Sequence, residues 1–153
     1  MIYKLIMLTK SHPIENPLEI TPHVFVYGTL QREFGNHGVM QSAKGHFLGA
    51  AVTIDEYPLL VEGLPYLHKH KGVGKSVYGE VYHVEDIKPL DRLESHPHFY
   101  KREVIEIALA TYRLPCWTYF INRTRKTASD FSDDEMFSSY KEGRSERTYS
   151  FYN

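Results

Sequence analysis

The chemistry this chain can support is concentrated in two segments well separated in sequence. The first reads Val24-Phe25-Val26-Tyr27-Gly28-Thr29-Leu30, an apolar stretch of strand type that runs into a glycine. Gly28 can adopt a backbone conformation barred to larger residues, so the amides of Gly28, Thr29 and Leu30 can converge on one carboxylate or carbonyl oxygen, with Tyr27 as a wall. The structural alternative is an ordinary strand-ending turn. The second segment, Leu90-Asp91-Arg92-Leu93-Glu94-Ser95-His96-Pro97, places Glu94 at the C-terminal end of a short predicted helix, before a proline-marked turn. There the helix macrodipole disfavours a further negative charge and helps raise the carboxyl pKa. In a pocket lined by Tyr27, Tyr82 and Tyr100, desolvation raises it further, towards the neutral range where a general acid/base works best. Asp91, one turn earlier, is a second candidate carboxylate, or it braces Arg102. The plain alternative for Glu94 is an exposed helix end.

Other chemistries find less support. Gly72-Val73-Gly74-Lys75-Ser76 imitates the end of a phosphate-binding loop, but Lys69 stands where that motif needs its first glycine and a strand follows, so nucleotide binding is rejected there. The stretch from His68 to Lys75 reads as a basic hairpin loop whose lysines could meet a substrate carboxylate. His68 with His70, and His96 with His98, have an alternate spacing that suits metal ligands, yet no third ligand follows by spacing and surface histidines are the simpler reading. Cys116, the single cysteine, lies in an apolar strand beside Trp117 and reads as a buried inert thiol; no Gly-x-Ser-x-Gly elbow is present. No metal or cofactor is expected.

The elements that must position these residues are short. With 153 residues the chain has the size of one domain. Its 18 Lys and Arg against 19 Asp and Glu provide no basic field for nucleic acid or acidic lipid, so a small-molecule ligand is expected rather than nucleic acid or membrane. Met1 to Thr9 is interrupted by Lys4 and makes a poor signal peptide, and a cytoplasmic location is expected. Residues 1–22, with three prolines, read as an N-terminal extension that either docks or stays loose; residues 23–153 read as a single domain with a polar, partly mobile tail after Asn122. Within the domain, strands are predicted over 23–27, 46–53, 57–61, 77–84, 103–110 and 114–122. Their spacing, with Gly79 in mid-strand marking a bend or a close approach, favours a closed or strongly curved sheet. Asn36 is positioned to cap a short helix through Ala43, and Asp86 to cap a second helix with Pro89 in its first turn and Leu90 and Leu93 turned inward.

In combination, the Tyr-Gly-Thr-Leu segment, Gly35-Asn36-His37, Tyr57-Pro58-Leu59-Leu60-Val61, Gly79-Glu80-Val81-Tyr82 and Leu90 to Arg102 resemble the gamma-glutamylcyclotransferase superfamily, most nearly its gamma-glutamylamine cyclotransferase branch. The resemblance spans about residues 23–122. It implies an α+β fold, a small mixed β-barrel flanked by short helices. It also implies a cofactor-free enzyme that releases an amine from a gamma-glutamyl amine such as gamma-glutamyl-epsilon-lysine, leaving 5-oxoproline, as the substrate's α-amine attacks its own γ-carbonyl. By the same resemblance Glu94 is the catalytic proton carrier, Tyr27, Gly28, Thr29 and Leu30 hold the glutamyl end, and Tyr100 stands near the pocket. Two alternatives remain open: the same chemistry on gamma-glutamyl α-amino acids, and a non-catalytic small-ligand binding or adaptor module. Oligomeric state is not legible, and residues 1–22 and the C-terminal tail depart from the family pattern.

Overall fold

Short runs of β-branched and aromatic residues, punctuated by glycine and proline, build the molecule. The computed structural model describes residues 16–122 and 124–145. In chain order the strands are β1 (His23–Val26), β2 (His46–Thr53), β3 (Leu59–Glu62), β4 (Leu64–Leu67), β5 (Tyr78–His83), β6 (Tyr100–Leu109) and β7 (Tyr112–Ile121). Two short helices join them, α1 (Gly38–Ser42) and α2 (Lys88–Leu93). Five strands close a barrel in the order β1-β5-β2-β6-β7, and β7 returns to β1 through a parallel pairing of Val24 with Trp117. All other barrel pairings are antiparallel, which makes this the mixed, helix-flanked barrel expected from the sequence.

β1 reads as an unbroken apolar run because both of its faces are buried. Phe25 and Tyr27 join a core that draws Ala51, Val81, Ile107, Cys116 and Phe120 from the other barrel strands. Val24 and Val26 join a second core shared with Met40 of α1 and Leu90 of α2. Each fully buried aliphatic side chain, such as Leu90, contributes about 1.5–3 kcal/mol. Gly79 sits in β5 where a Cβ would come within 2.8 Å of the Phe25 ring, the close approach that a mid-strand glycine signals.

Three features differ from expectation. The predicted strand 57–61 is one arm of a separate β3–β4 hairpin, which turns at Gly63 with a left-handed φ of 79° and is not part of the barrel sheet. Asn36 does not cap α1 with its side chain, which is spent on Thr29 Oγ1; Asp86 does act at its helix, accepting from the Lys88 amide at 3.1 Å. After Asn122 the chain packs on the domain: Phe131 lies against the rings of His68 and His70, and Met136 and Tyr140 are buried. Polar composition masked these three isolated anchors. At the other end, the Trp117 indole donates to Pro17 O and Thr21 Oγ1 to Pro115 O, so residues 16–22 dock on β7. Residues 1–15 and 146–153 lie outside the described residues. Among the described residues no helix is long and apolar enough to cross a membrane.

Candidate active site

The amides proposed as a cradle are left open by the way their carbonyls are used. Gly28 O accepts from the Gln31 amide and from Gln31 Nε2, both at 3.1 Å, which bends the chain after Thr29. Asn36 then fixes Thr29 from both sides, its amide donating to Thr29 O at 3.0 Å and its Nδ2 to Thr29 Oγ1 at 2.8 Å. Among the described residues the N–H groups of Gly28, Thr29 and Leu30 have no hydrogen-bond acceptor, and all three residues line a cavity of about 240 Å³. Glycine is required at position 28 for a reason other than the one expected. Its φ is not left-handed; instead a Cβ there would stand 2.6 Å from Pro65 Cγ of β4. The loop is anchored beyond the cradle by Glu80 of β5, which accepts from Arg32 N at 2.9 Å and from Arg32 Nε at 2.8 Å.

Glu94 lines the same cavity. It terminates α2, donating its amide to Leu90 O at 3.0 Å, after which Ser95 adopts a left-handed φ of 50° and the His96–Pro97 peptide is cis. The Tyr100 amide donates back to Glu94 O at 3.2 Å, so the carboxylate is set at the junction of α2 and β6. Burial pushes the Glu94 carboxyl up to about 7. Two phenols beside it are also held above their ordinary range by burial first: Tyr27, which donates to Tyr119 O, and Tyr100, which donates to Pro65 O at 2.6 Å. Both remain neutral donors across the physiological range.

Asp91 takes the structural option. Arg102 donates to it through Nε at 2.9 Å and Nη2 at 3.2 Å, and Tyr119 OH donates at 2.7 Å, tying α2 to β6 and β7. Tyr82 is outside the cavity, correcting the expected wall: its place on β5 turns it towards Met40, with its hydroxyl donating to Glu80 Oε1 at 3.1 Å. Tyr119 occupies that role instead, and Asn36, Leu64, Pro65, Leu93 and Phe99 complete a lining that sequence reasoning did not assign. Asn36, Leu93 and Phe99 had a signal, their place in motifs quoted above; Leu64 and Pro65 became visible only through the pairing of β3 with β4. The lysines of the basic loop do not reach the cavity, since Lys69 pairs with Glu103 and Lys71 with Asp55 at 3.4 Å. Burial pushes the Cys116 thiol up to about 12 and the His68 imidazole down to about 4, leaving both uncharged. His96 Nδ1 accepts from the Arg102 amide at 3.2 Å, and His70 Nε2 bonds Lys126 O at 3.0 Å. Among the described residues no three His, Cys, Asp or Glu side chains are grouped to hold a metal ion.

A small closed barrel whose pocket is lined by open amides and one desolvated carboxyl defines a class of small-ligand barrel protein. The chain belongs to the gamma-glutamyl cyclotransferase, AIG2-like family, whose model matches residues 24–139. It is similar to the gamma-glutamylaminecyclotransferase of Bos taurus, 41% identical over 106 residues that cover 63% of this chain and 63% of the bovine one. The Homo sapiens protein of the same name is 38% identical over 100 residues, 60% of this chain and 65% of its own. The chain thus spans just under two-thirds of each of these two relatives. Its fold resembles the crystal structure of an AIG2-like protein from Mus musculus, with a TM-score of 0.65 and 27% identity, covering 78% of this chain and 87% of that one.

Proposed function

We propose that the protein is a cyclotransferase that cleaves a gamma-glutamyl amine, such as gamma-glutamyl-epsilon-lysine, into 5-oxoproline and the free amine. The observation that carries this reading is the placement of Glu94, its carboxyl raised to about 7, in the same cavity as the unpaired amides of Gly28, Thr29 and Leu30. Family membership and the names of the bovine and human relatives support the same activity.

The amides hold the glutamyl end. Glu94 takes a proton from the substrate's α-ammonium, and the freed nitrogen attacks the γ-carbonyl carbon, forming the lactam C–N bond. As the tetrahedral centre collapses, the γ-amide C–N bond breaks, Glu94 returns the proton to the departing nitrogen, and the second proton of the ring nitrogen follows by way of the same carboxylate, so that a neutral lactam and an ammonium leave. No water is consumed, and one carboxyl serves every transfer. Ring closure within one molecule supplies much of the rate once the chain is folded in the pocket. Tyr27 and Tyr100, held as neutral phenols and spent on backbone carbonyls, shape the site.

The test is 5-oxoproline release by the purified protein from gamma-glutamyl-epsilon-lysine and a panel of gamma-glutamyl dipeptides, repeated with Glu94→Gln. The substitution keeps size and removes the titratable group, so turnover is expected to fall by roughly 10²–10⁴ with KM nearly unchanged. Undiminished turnover in the variant would remove Glu94 from the mechanism.

A further inference from the structure

The end of the barrel remote from the cradle carries a row of histidines that the reaction does not use. His23 opens β1, His83 closes β5 and His46 opens β2, and β5 lies between the other two strands in the barrel. His83 stands directly opposite His23 on one side and His46 on the other. Directly opposed residues project from the same face of a sheet, so the three side chains form one line across three strands. Alternation along the strands identifies that face, since His23 shares it with Phe25 and His83 with Val81, both residues of the barrel core. The row therefore caps that core, at the opposite end of β1 from the cradle amides.

The three rings are close together and their nitrogens are unspent. Ring centres are 5.8 Å apart for His23 and His83, inclined at 71°, and 6.4 Å apart for His46 and His83. Other histidines are committed to the backbone: His37 to Leu30 O, His70 to Lys126 O and His96 to the Arg102 amide. Among the described residues the imidazoles of His23, His83 and His46 make no hydrogen bond, and the Glu85 carboxylate lies 4.0 Å from His46 Nε2. Two imidazoles on one zinc ion hold their ring centres roughly 5–6 Å apart, because each nitrogen lies about 2 Å from a tetrahedral ion. His23 and His83 already stand at that separation. The three rings do not yet converge on one point, in keeping with the absence of a ready-made cluster among the described residues. His46, with 68% of its side chain exposed, can swing to close the gap. With its Nδ1 on the ion, its Nε2–H donates to Glu85, the carboxylate–histidine pairing that orients a ligand ring.

We propose that His23 and His83, joined by His46, bind one divalent ion of the zinc class at the end of the barrel opposite the cradle. Imidazole nitrogens suit zinc, copper and nickel, whereas magnesium and calcium take oxygen ligands. Bound there, the ion staples β1, β5 and β2 together and stabilises the folded chain by mass action. The site uses no group of the cavity, so it stands or falls apart from the cyclotransferase reading.

The experiment titrates the purified full chain with zinc chloride, reading stoichiometry by calorimetry and the imidazole nitrogens by NMR, with magnesium chloride as the control. One ion per chain is expected at micromolar zinc, with the ring signals of His23, His83 and His46 moving together, the urea midpoint rising, and no response to magnesium. His23→Gln and His83→Gln, each checked for folding by circular dichroism, are expected to weaken binding by about tenfold or more, the scale on which even outer-shell partners count. Both should also lose the rise in urea midpoint. Zinc uptake that needs millimolar concentrations, ring shifts confined to other histidines such as His68 and His70, or an affinity unmoved in both variants overturns the site. Should a variant fail to fold, the ring shifts of the wild-type chain decide the matter.

Discussion

Glu94 carries a cost in stability that follows from the chemistry assigned to it. Its carboxyl is raised from an ordinary 4.5 to about 7 because burial disfavours the ionised form. Between those two values the folded protein binds more protons at this site than the unfolded chain does, so stability falls as pH rises. The contribution is fully present below the unfolded pKa and is lost as pH climbs through about 7. Glu94→Gln removes this term. The variant is therefore expected to match wild type near pH 4 and to exceed it near pH 8 by on the order of 1–3 kcal/mol, while being catalytically impaired. Urea midpoints for both proteins across that range check the expectation, and parallel pH profiles would mean that Glu94 does not titrate as its burial dictates. Activity has the opposite slope, since kcat/KM should rise through the same pH window as the free carboxylate becomes available to accept the ammonium proton.

At the scale of elements, the question is what aims a six-residue helix. A helix that short is not stable alone, so α2 takes its direction from tertiary contacts. Leu90 supplies burial and Asp91 supplies direction, accepting from Arg102 of β6 and Tyr119 of β7 one turn before the catalytic candidate. Asp91 and Arg102 keep only 20% and 14% exposure, so removing one partner strands the other in a poorly solvated position. Asp91→Ala is expected to cost about 2–4 kcal/mol, somewhat below the full penalty for breaking a wholly buried pair. Turnover should fall as well, because Glu94 loses its register against the cradle. Asp91→Asn, which can still accept from Tyr119, should lie between the two. Denaturant unfolding alongside kcat measures both effects, and a stable, fully active Asp91→Ala would show that Leu90 alone orients the helix.

For the molecule as a whole, what the sequence disclosed and what it hid have a common physical origin. Local signals were legible: the apolar β1 run into Gly28, the helix ending at Glu94 and the barrel strands all rest on neighbours in sequence. Tyr82 falls outside the cavity and Tyr119 lines it because facing is set by register with partner strands, which no local pattern states. The β3–β4 hairpin was half hidden because Pro65 argues against a strand when its partner is unknown. That hairpin is also the least integrated part of the site. A two-stranded ribbon is marginal by itself, and this one has no sheet pairing to the barrel. It is held by the burial of Leu59, Val61 and Leu67, by the Phe137 amide donating to Leu59 O at 3.0 Å, and by two phenols. One is Tyr100, on Pro65 O; the other is Tyr140, which donates to Gly63 O at 3.1 Å from outside the cavity lining. Opening the hairpin would remove one wall of the pocket while breaking no barrel strand pairing, so it is expected to open as a separate unit of local unfolding although Leu59, Val61 and Leu67 share a core with the barrel. Tyr140→Phe deletes a single bond and should cost about 1 kcal/mol, roughly fivefold in the opening equilibrium. Native-state hydrogen exchange should register that loss of protection over residues 59–67 while the amides of β1 and β5 keep theirs. Exchange accelerated evenly through the barrel strands would mean instead that hairpin and barrel open together, and that the pocket wall is as stable as the core behind it.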